Sequence, residues 1–397
     1  STKMDPAITA KIDELVEPLL AKKGENLNLV IGVLQGENRW TKGWGNFRSY
    51  DSDYNVVEPK VIIPPDGNTV FEIGSITKTF TSTLLSVLVE RQELNLNSPI
   101  NKMHTSYSNL PDNVTLFSLA THTSGLPRML NNFKEASQKD PMNPYAAISL
   151  EDLHDYLCQH NGKPGKRSGK ISYSNLGVGI LGNILTDHGG GGGKDYQDVV
   201  LANLCHPLGL VDTSIHLSAD QEQRFVVGYQ INGQPAKPWD IPAMAGAGGF
   251  RSTANDMLTY LALQLGQLSV DGIPEEATAR THKLQVPYSL RSKIHKVLIS
   301  IQKMGRRCFT TSRALWVETT LKGIGLGWFI THLPSIDRDV HWHNGGTGGY
   351  RTFCGFIKES NTAVVVLSNQ RESLWSILFG PRWIDSVGFK ILELMEP

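Results

Sequence analysis

Residues 71–80 read FEIGSITKTF, and the role of Ser75 in that stretch decides how the rest of the chain is to be read. Serine is a preferred helix N-cap, and Phe80, Leu84, Val87 and Leu88 follow it at helical spacing. The same spacing suits chemistry. Lys78 lies three residues on, on the same helix face, where its amine can reach the Ser75 hydroxyl. A serine is a poor nucleophile at neutral pH without such a base, and a lysine serves as one only when burial or a neighbouring cation lowers its pKa. Spacing alone does not choose, because Ser300-Ile301-Gln302-Lys303 repeats the S-x-x-K pattern.

At 397 residues the chain has room for a large core. Its 38 basic and 38 acidic residues balance, which removes any charge argument for nucleic-acid or acidic-membrane binding. The four cysteines, Cys158, Cys205, Cys308 and Cys354, are scattered without a C-x-x-C, so neither a zinc site nor a disulfide framework is expected. No apolar run reaches membrane-spanning length, and the first residues, STKMDPAITAKIDELV, carry no signal-peptide core.

Residues 5–23 have the pattern of an amphipathic helix, and LNLVIGVLQG and NRWTKGWGN after it read as two strands joined by a turn. Near the other end HWHNGGTGGY, YRTFCGFIK and NTAVVVLSN read as further strands, and Trp383 to Leu394 as a helix. Between them, residues 75–270 read mainly as helices and loops. The expected fold is therefore α+β: an antiparallel sheet flanked by helices, built from residues 1–74 and 325–397, with a mainly helical lobe over 75–324 and the cleft between the two. The glycine run in HGGGGGKD, residues 188–195, reads as a loop and lacks the context of a phosphate cradle. Residues 280–322 carry many Lys and Arg against the single acid Glu318, the pattern of a solvated insertion.

A nucleophile at Ser75 needs polar partners from elsewhere in the chain. PGKRSGKISYSNLGVGILG supplies Tyr173, Ser174 and Asn175 at the head of an apolar helical run. A tyrosine among lysines is expected to have a lowered pKa and to move protons, and Asn175 to orient a substrate amide or the Lys78 amine. Tyr173 as a core ring is the structural alternative, and Tyr107-Ser108-Asn109 repeats the spacing in a polar stretch. In HWHNGGTGGYRTF, glycines at a strand end let a substrate approach the backbone, and the Gly346 N–H is the candidate to join that of Ser75 in holding an oxyanion. Asn344-Gly345 and Gly348-Gly349 are also strong turn formers.

Together these blocks resemble the serine β-lactamase and penicillin-recognising enzyme superfamily, in its class C β-lactamase and DD-peptidase branch. FEIGSITKTF is similar to the S-x-x-K block, YSN to the Y-x-N block and HNGGTGG to the K-T-G block. LATHTSGLPR (119–128), PGKRSGKISYSNLG (164–177) and GAGGFRSTANDML (246–258) match the same branch. The resemblance selects Ser75 over Ser300 and Tyr173 over Tyr107. It implies an acyl-enzyme on Ser75, with Lys78 and Tyr173 taking its proton, Tyr173 protonating the leaving group, and no metal or organic cofactor. The implied partner is a small-molecule or peptide substrate: a D-amino-acid peptide, a β-lactam or an ester. A penicillin-binding sensor that acylates without turnover is the further alternative, and the implied compartment is periplasmic or secreted. One departure stands out: His343 and Asn344 replace the Lys and Thr of K-T-G. A histidine supplies charge for a substrate carboxylate only when protonated, so His343 is expected to bind such substrates best below about pH 6.5.

Overall fold

Leu29, Ile31 and Val33 face one hydrophobic core and Val30 and Leu34 another, so both sides of this strand are covered and its sequence is apolar throughout instead of alternating. The computed structural model describes residues 3–189, 194–289, 317–372 and 383–397. In chain order its strands are β1 (Leu29–Gln35), β2 (Asn38–Trp44), β3 (Ser49–Tyr50), β4 (Val56–Val57), β5 (Phe71–Glu72), β6 (Arg251–Ser252), β7 (Val286–Pro287), β8 (Thr320–Ile324), β9 (Phe329–Leu333), β10 (Arg338–Gly346), β11 (Arg351–Ile357) and β12 (Thr362–Ser368). Eight of them form one sheet in the order β2-β1-β12-β11-β10-β9-β8-β7. Every neighbouring pair is antiparallel.

One face of the sheet packs on the terminal helices Pro6–Lys23 and Trp383–Met395, through residues such as Val16, Phe353, Val366 and Val387. The other packs on the helical part of the chain, with Val365 and Leu258 so close that a Cβ at Gly32 would meet them at 3.0 and 3.1 Å. This is the α+β arrangement the sequence leads one to expect. The sheet also takes β7 and β8, which precede residue 325; a bulge at Leu321/Gly323 breaks the two-residue repeat that would have marked β8 as a strand. The glycines 190–193, the second S-x-x-K at Ser300 and Lys303, Cys308 and most of the basic segment lie outside the described residues.

The helix Thr77–Glu90 has no solvent face over its first three turns: every residue from Thr77 to Leu88 is buried. Most of its polar positions tolerate this because their hydroxyls find partners, Ser82 Oγ being buried without one. Thr79 donates to the Ile76 carbonyl at 2.8 Å, Thr81 to Gly246 at 2.7 Å and Ser86 to Ala277 at 2.6 Å. The turn ahead of this helix is pressed against the end of β10. Gly74 has φ +54°, and a Cβ there would lie 2.8 Å from the Gly346 nitrogen. At Gly345 a Cβ would lie 2.0 Å from the Ile73 carbonyl oxygen, which is backbone and cannot step aside. Gly345→Ala should therefore cost about 1–3 kcal/mol in urea denaturation. Gly346→Ala, whose Cβ would meet only the end of the Arg351 side chain at 3.2 Å, should cost much less. Equal stabilities would mean that the two backbones are not in contact.

Candidate active site

Ser75 occupies a single 3₁₀ turn, Gly74–Ile76, that continues directly into the helix Thr77–Glu90, and neither start carries a side-chain cap. The hydroxyl engages Lys78 instead. Lys78 Nζ lies 2.8 Å from Ser75 Oγ and 2.6 Å from the Ala247 carbonyl oxygen. The lysine is 0% exposed. Burial first, and then the nearby Arg128 cation, push its pKa well below the ordinary lysine value. In its neutral form the amine donates to Ala247 and keeps a lone pair for the serine proton.

Tyr173 sits beside this pair. Its ring centre is 4.8 Å from Lys78 Nζ, 5.0 Å from the Arg128 guanidinium and 4.5 Å from the His122 ring. Here the structure corrects the expected tyrosine pKa. Burial pushes the phenol up to about 12, outweighing the hydrogen bond with Ser75 and the pull of Arg128, so Tyr173 is a proton donor at rest and not an anionic base. Tyr107 packs against His104 and His154 in another part of the helical region. Ser174 caps the helix Asn175–His188 through the Gly177 N–H and donates to the Pro127 carbonyl at 2.6 Å. Asn175 begins that helix, and among the described residues its side chain has no hydrogen-bond partner; Lys78 is not one.

Along β10 the side chains alternate, and the alternation divides the HNG block. His343 faces the Lys78 side, 6.3 Å from the Tyr173 ring and 5.2 Å from Phe329. It is fully buried, and its pKa falls to about 3 through burial and then the Lys78 cation. Its Nδ1 lies 2.7 Å from the Asn344 carbonyl oxygen, which can only accept, so Nδ1 carries the proton and Nε2 is a bare acceptor. The expectation of an imidazolium that binds carboxylates below pH 6.5 is thereby overturned. Asn344 is corrected too: its amide points to the opposite face and donates to Asp385 at 2.8 Å, away from Ser75. Gly346 ends β10 exposed and against the serine turn.

Three contributors lay outside the sequence expectations. His122, at φ +57°, is buried under Tyr173, and its Nδ1 accepts the Ser174 N–H at 3.0 Å. A left-handed non-glycine residue in HTSG has no simple sequence signal. Arg128, in the same block, is exposed at the rim. Glu72, buried two residues before Gly74, accepts from Arg251 at 3.0 Å, the Trp239 N–H at 2.8 Å and the Thr347 hydroxyl at 2.9 Å. Its three-way pairing ties the serine turn to the loop after β10. Among the described residues no cluster of His, Cys, Asp or Glu could hold a metal, and no helix is long and apolar enough to cross a membrane.

A family model described as Beta-lactamase matches residues 12–388. The chain is 25% identical over 371 residues to a β-lactamase of Providencia stuartii, covering 91% of this chain and 86% of that one. It is 26% identical over 327 residues to the D-alanyl-D-alanine-carboxypeptidase/endopeptidase AmpH of Escherichia coli, covering 81% and 76%. A class C β-lactamase crystal structure shares the fold with TM-score 0.72 at 20% identity over 98% of each chain. A β-lactamase/D-alanine carboxypeptidase from Pseudomonas syringae does so with TM-score 0.71 at 17% identity, over 98% of this chain and 100% of that one.

The buried histidines make acid stability testable. In the unfolded chain His122 and His343 protonate near about 6.5, whereas the folded protein keeps both neutral well below that. The unfolded state thus binds more protons over that range, so stability is full above about pH 6.5 and falls on acidification, the His343 share being lost by about pH 3. Urea midpoints should fall between pH 7 and pH 5, and fall less steeply in His343→Asn. A slope unchanged by that substitution would show that His343 titrates normally in the folded protein.

Proposed function

We propose, for a chain that belongs to the β-lactamase family, a serine hydrolase that works through an acyl-enzyme on Ser75 and cleaves amide bonds of D-alanyl-D-alanine peptides or β-lactams. The observation that carries this reading is the buried, deprotonation-prone Lys78 amine 2.8 Å from Ser75 Oγ. Lys78 takes the serine proton as Oγ attacks the carbonyl carbon. The oxyanion forms between the N–H groups of Ser75 and Gly346. Tyr173 gives its proton to the leaving nitrogen, and the Lys78 ammonium returns one to the tyrosine. Water then repeats the sequence on the ester, with Lys78 again the base. The substrates named for the relatives, β-lactams and D-alanyl-D-alanine peptides, both fit an amide carbonyl in this setting.

A second reading, a carboxylesterase, is favoured by one observation: with His343 neutral, the end of β10 at the serine offers no charge for a substrate acid. Turnover of nitrocefin, a D-Ala-D-Ala peptide and a p-nitrophenyl ester, measured side by side, separates the readings. Preference for the neutral ester with no action on the other two would favour the esterase, and stable acylation without turnover a sensor.

A fluorescent penicillin or an activated fluorophosphonate should label Ser75, as read by peptide mass spectrometry. Ser75→Ala should abolish labelling with the fold intact and lower turnover on the order of 10³-fold or more. Labelling of another hydroxyl would sink the assignment. Tyr173→Phe should slow acylation strongly and Tyr107→Phe hardly at all. Comparable losses in the two would point to a shared structural role.

A further inference from the structure

The β10 residue in the expected carboxylate position is neutral, yet a cation stands at the site on another element. The Arg128 guanidinium is exposed and lies 5.0 Å from the Tyr173 ring centre. Among the described residues its side chain makes no ion pair and no hydrogen bond. Its position is nonetheless fixed: the Pro127 carbonyl accepts from Ser174 Oγ at 2.6 Å, and the Arg128 carbonyl accepts from the Leu176 N–H at 3.1 Å. The two main-chain anchors straddle Asn175, so Arg128 is held to the segment that carries Tyr173.

We propose that Arg128 is the specificity residue for acidic substrates, its guanidinium receiving the free carboxylate on the leaving-group side of the scissile bond. The inference rests on the acyl-hydrolase reading given above. In that reading Tyr173 protonates the leaving nitrogen, which must then lie within hydrogen-bond reach of the phenol. In a terminal D-alanine, as in a β-lactam, the carboxylate carbon is two bonds from that nitrogen, about 2.5 Å away. A guanidinium N–H to carboxylate contact spans about 2.8 Å more. The acid therefore falls on the rim beside Tyr173, where Arg128 stands. Arginine suits the task better than a histidine would: its charge is permanent and its fork matches a carboxylate in two parallel hydrogen bonds. Two further basic side chains lie near the site: Lys78 is buried and engaged with Ser75 and Ala247, and Arg351 is buried and paired with Asp385 and Glu372.

Binding to Ser75→Ala protein tests this without turnover. Isothermal titration with acetyl-D-Ala-D-Ala and its C-terminal amide, and with benzylpenicillin and its methyl ester, should give about tenfold tighter binding of each acid, the scale of a single charge-assisted contact. Adding Arg128→Gln should remove the preference by weakening the acids alone, and Arg128→Lys should restore part of it. Equal affinity of acid and neutral ligand in the Ser75→Ala protein, no binding of either, or a preference that survives Arg128→Gln would overturn the assignment. Fluorophosphonate labelling of the wild-type serine distinguishes the two failures. Absent labelling with the acid preference intact defeats the hydrolase reading alone; labelling of Ser75 without the preference defeats the role of Arg128 alone.

Discussion

A lysine amine taken entirely out of water, with a serine hydroxyl and one carbonyl oxygen for partners, is the constraint around which this protein is arranged. Burying a charged ammonium is costly, so the amine sheds its proton more readily, and what is expensive for folding is useful for chemistry. The cost requires a helix that is buried all round. Thr77–Leu88 supplies one, with Thr79, Thr81 and Ser86 directing hydroxyls to the backbone carbonyls of Ile76, Gly246 and Ala277. The amine also requires a carbonyl at Ala247, in the glycine-rich turn that leads into β6. The two segments are far apart in sequence and meet at one side chain.

Two further contacts hold the serine turn in register with the sheet. Gly74 and Gly345 let two backbones touch where any side chain would collide. Beside them the Glu72 carboxylate, buried and pushed toward protonation by desolvation but countered by Arg251, bonds to Thr347 just past Gly346. A buried ion pair of this kind adds little net stability over an apolar pair, but breaking it would strand a charge. Its contribution here is positional, since it ties the segment before the serine turn to the loop after β10.

The same burial that lowers the Lys78 pKa keeps the histidines packed against it neutral. His343 lies in the position where a permanent cation is common in the resembled enzymes, yet the field of Lys78 and the absence of water leave it an imidazole with a bare acceptor nitrogen. Arg128, by contrast, stands exposed on the rim. In the proposed reading the proton-transfer groups stay in the dry interior of the cleft and the free guanidinium at its edge.

The one-dimensional pattern determined the terminal helices, the strands β1, β2 and β10–β12 and their antiparallel sheet, because apolar runs, two-residue alternation and turn residues are local signals. It also placed Ser75 and Lys78 one helical turn apart, where the structure puts them 2.8 Å from each other. It did not determine protonation states. Tyr173 and His343 are ordinary residues until the fold removes their water, and the pKa of each then moves opposite to what neighbouring charge alone would suggest, or further than it would. Asn344 was misread because a strand's side chains alternate: two adjacent residues of one motif face opposite sides of the sheet, and the motif does not say which side holds the serine. Glu72, His122 and Arg128 were invisible for a related reason. Each acts through partners more than a helical turn away in the chain, and only the packed tertiary structure brings those partners within reach.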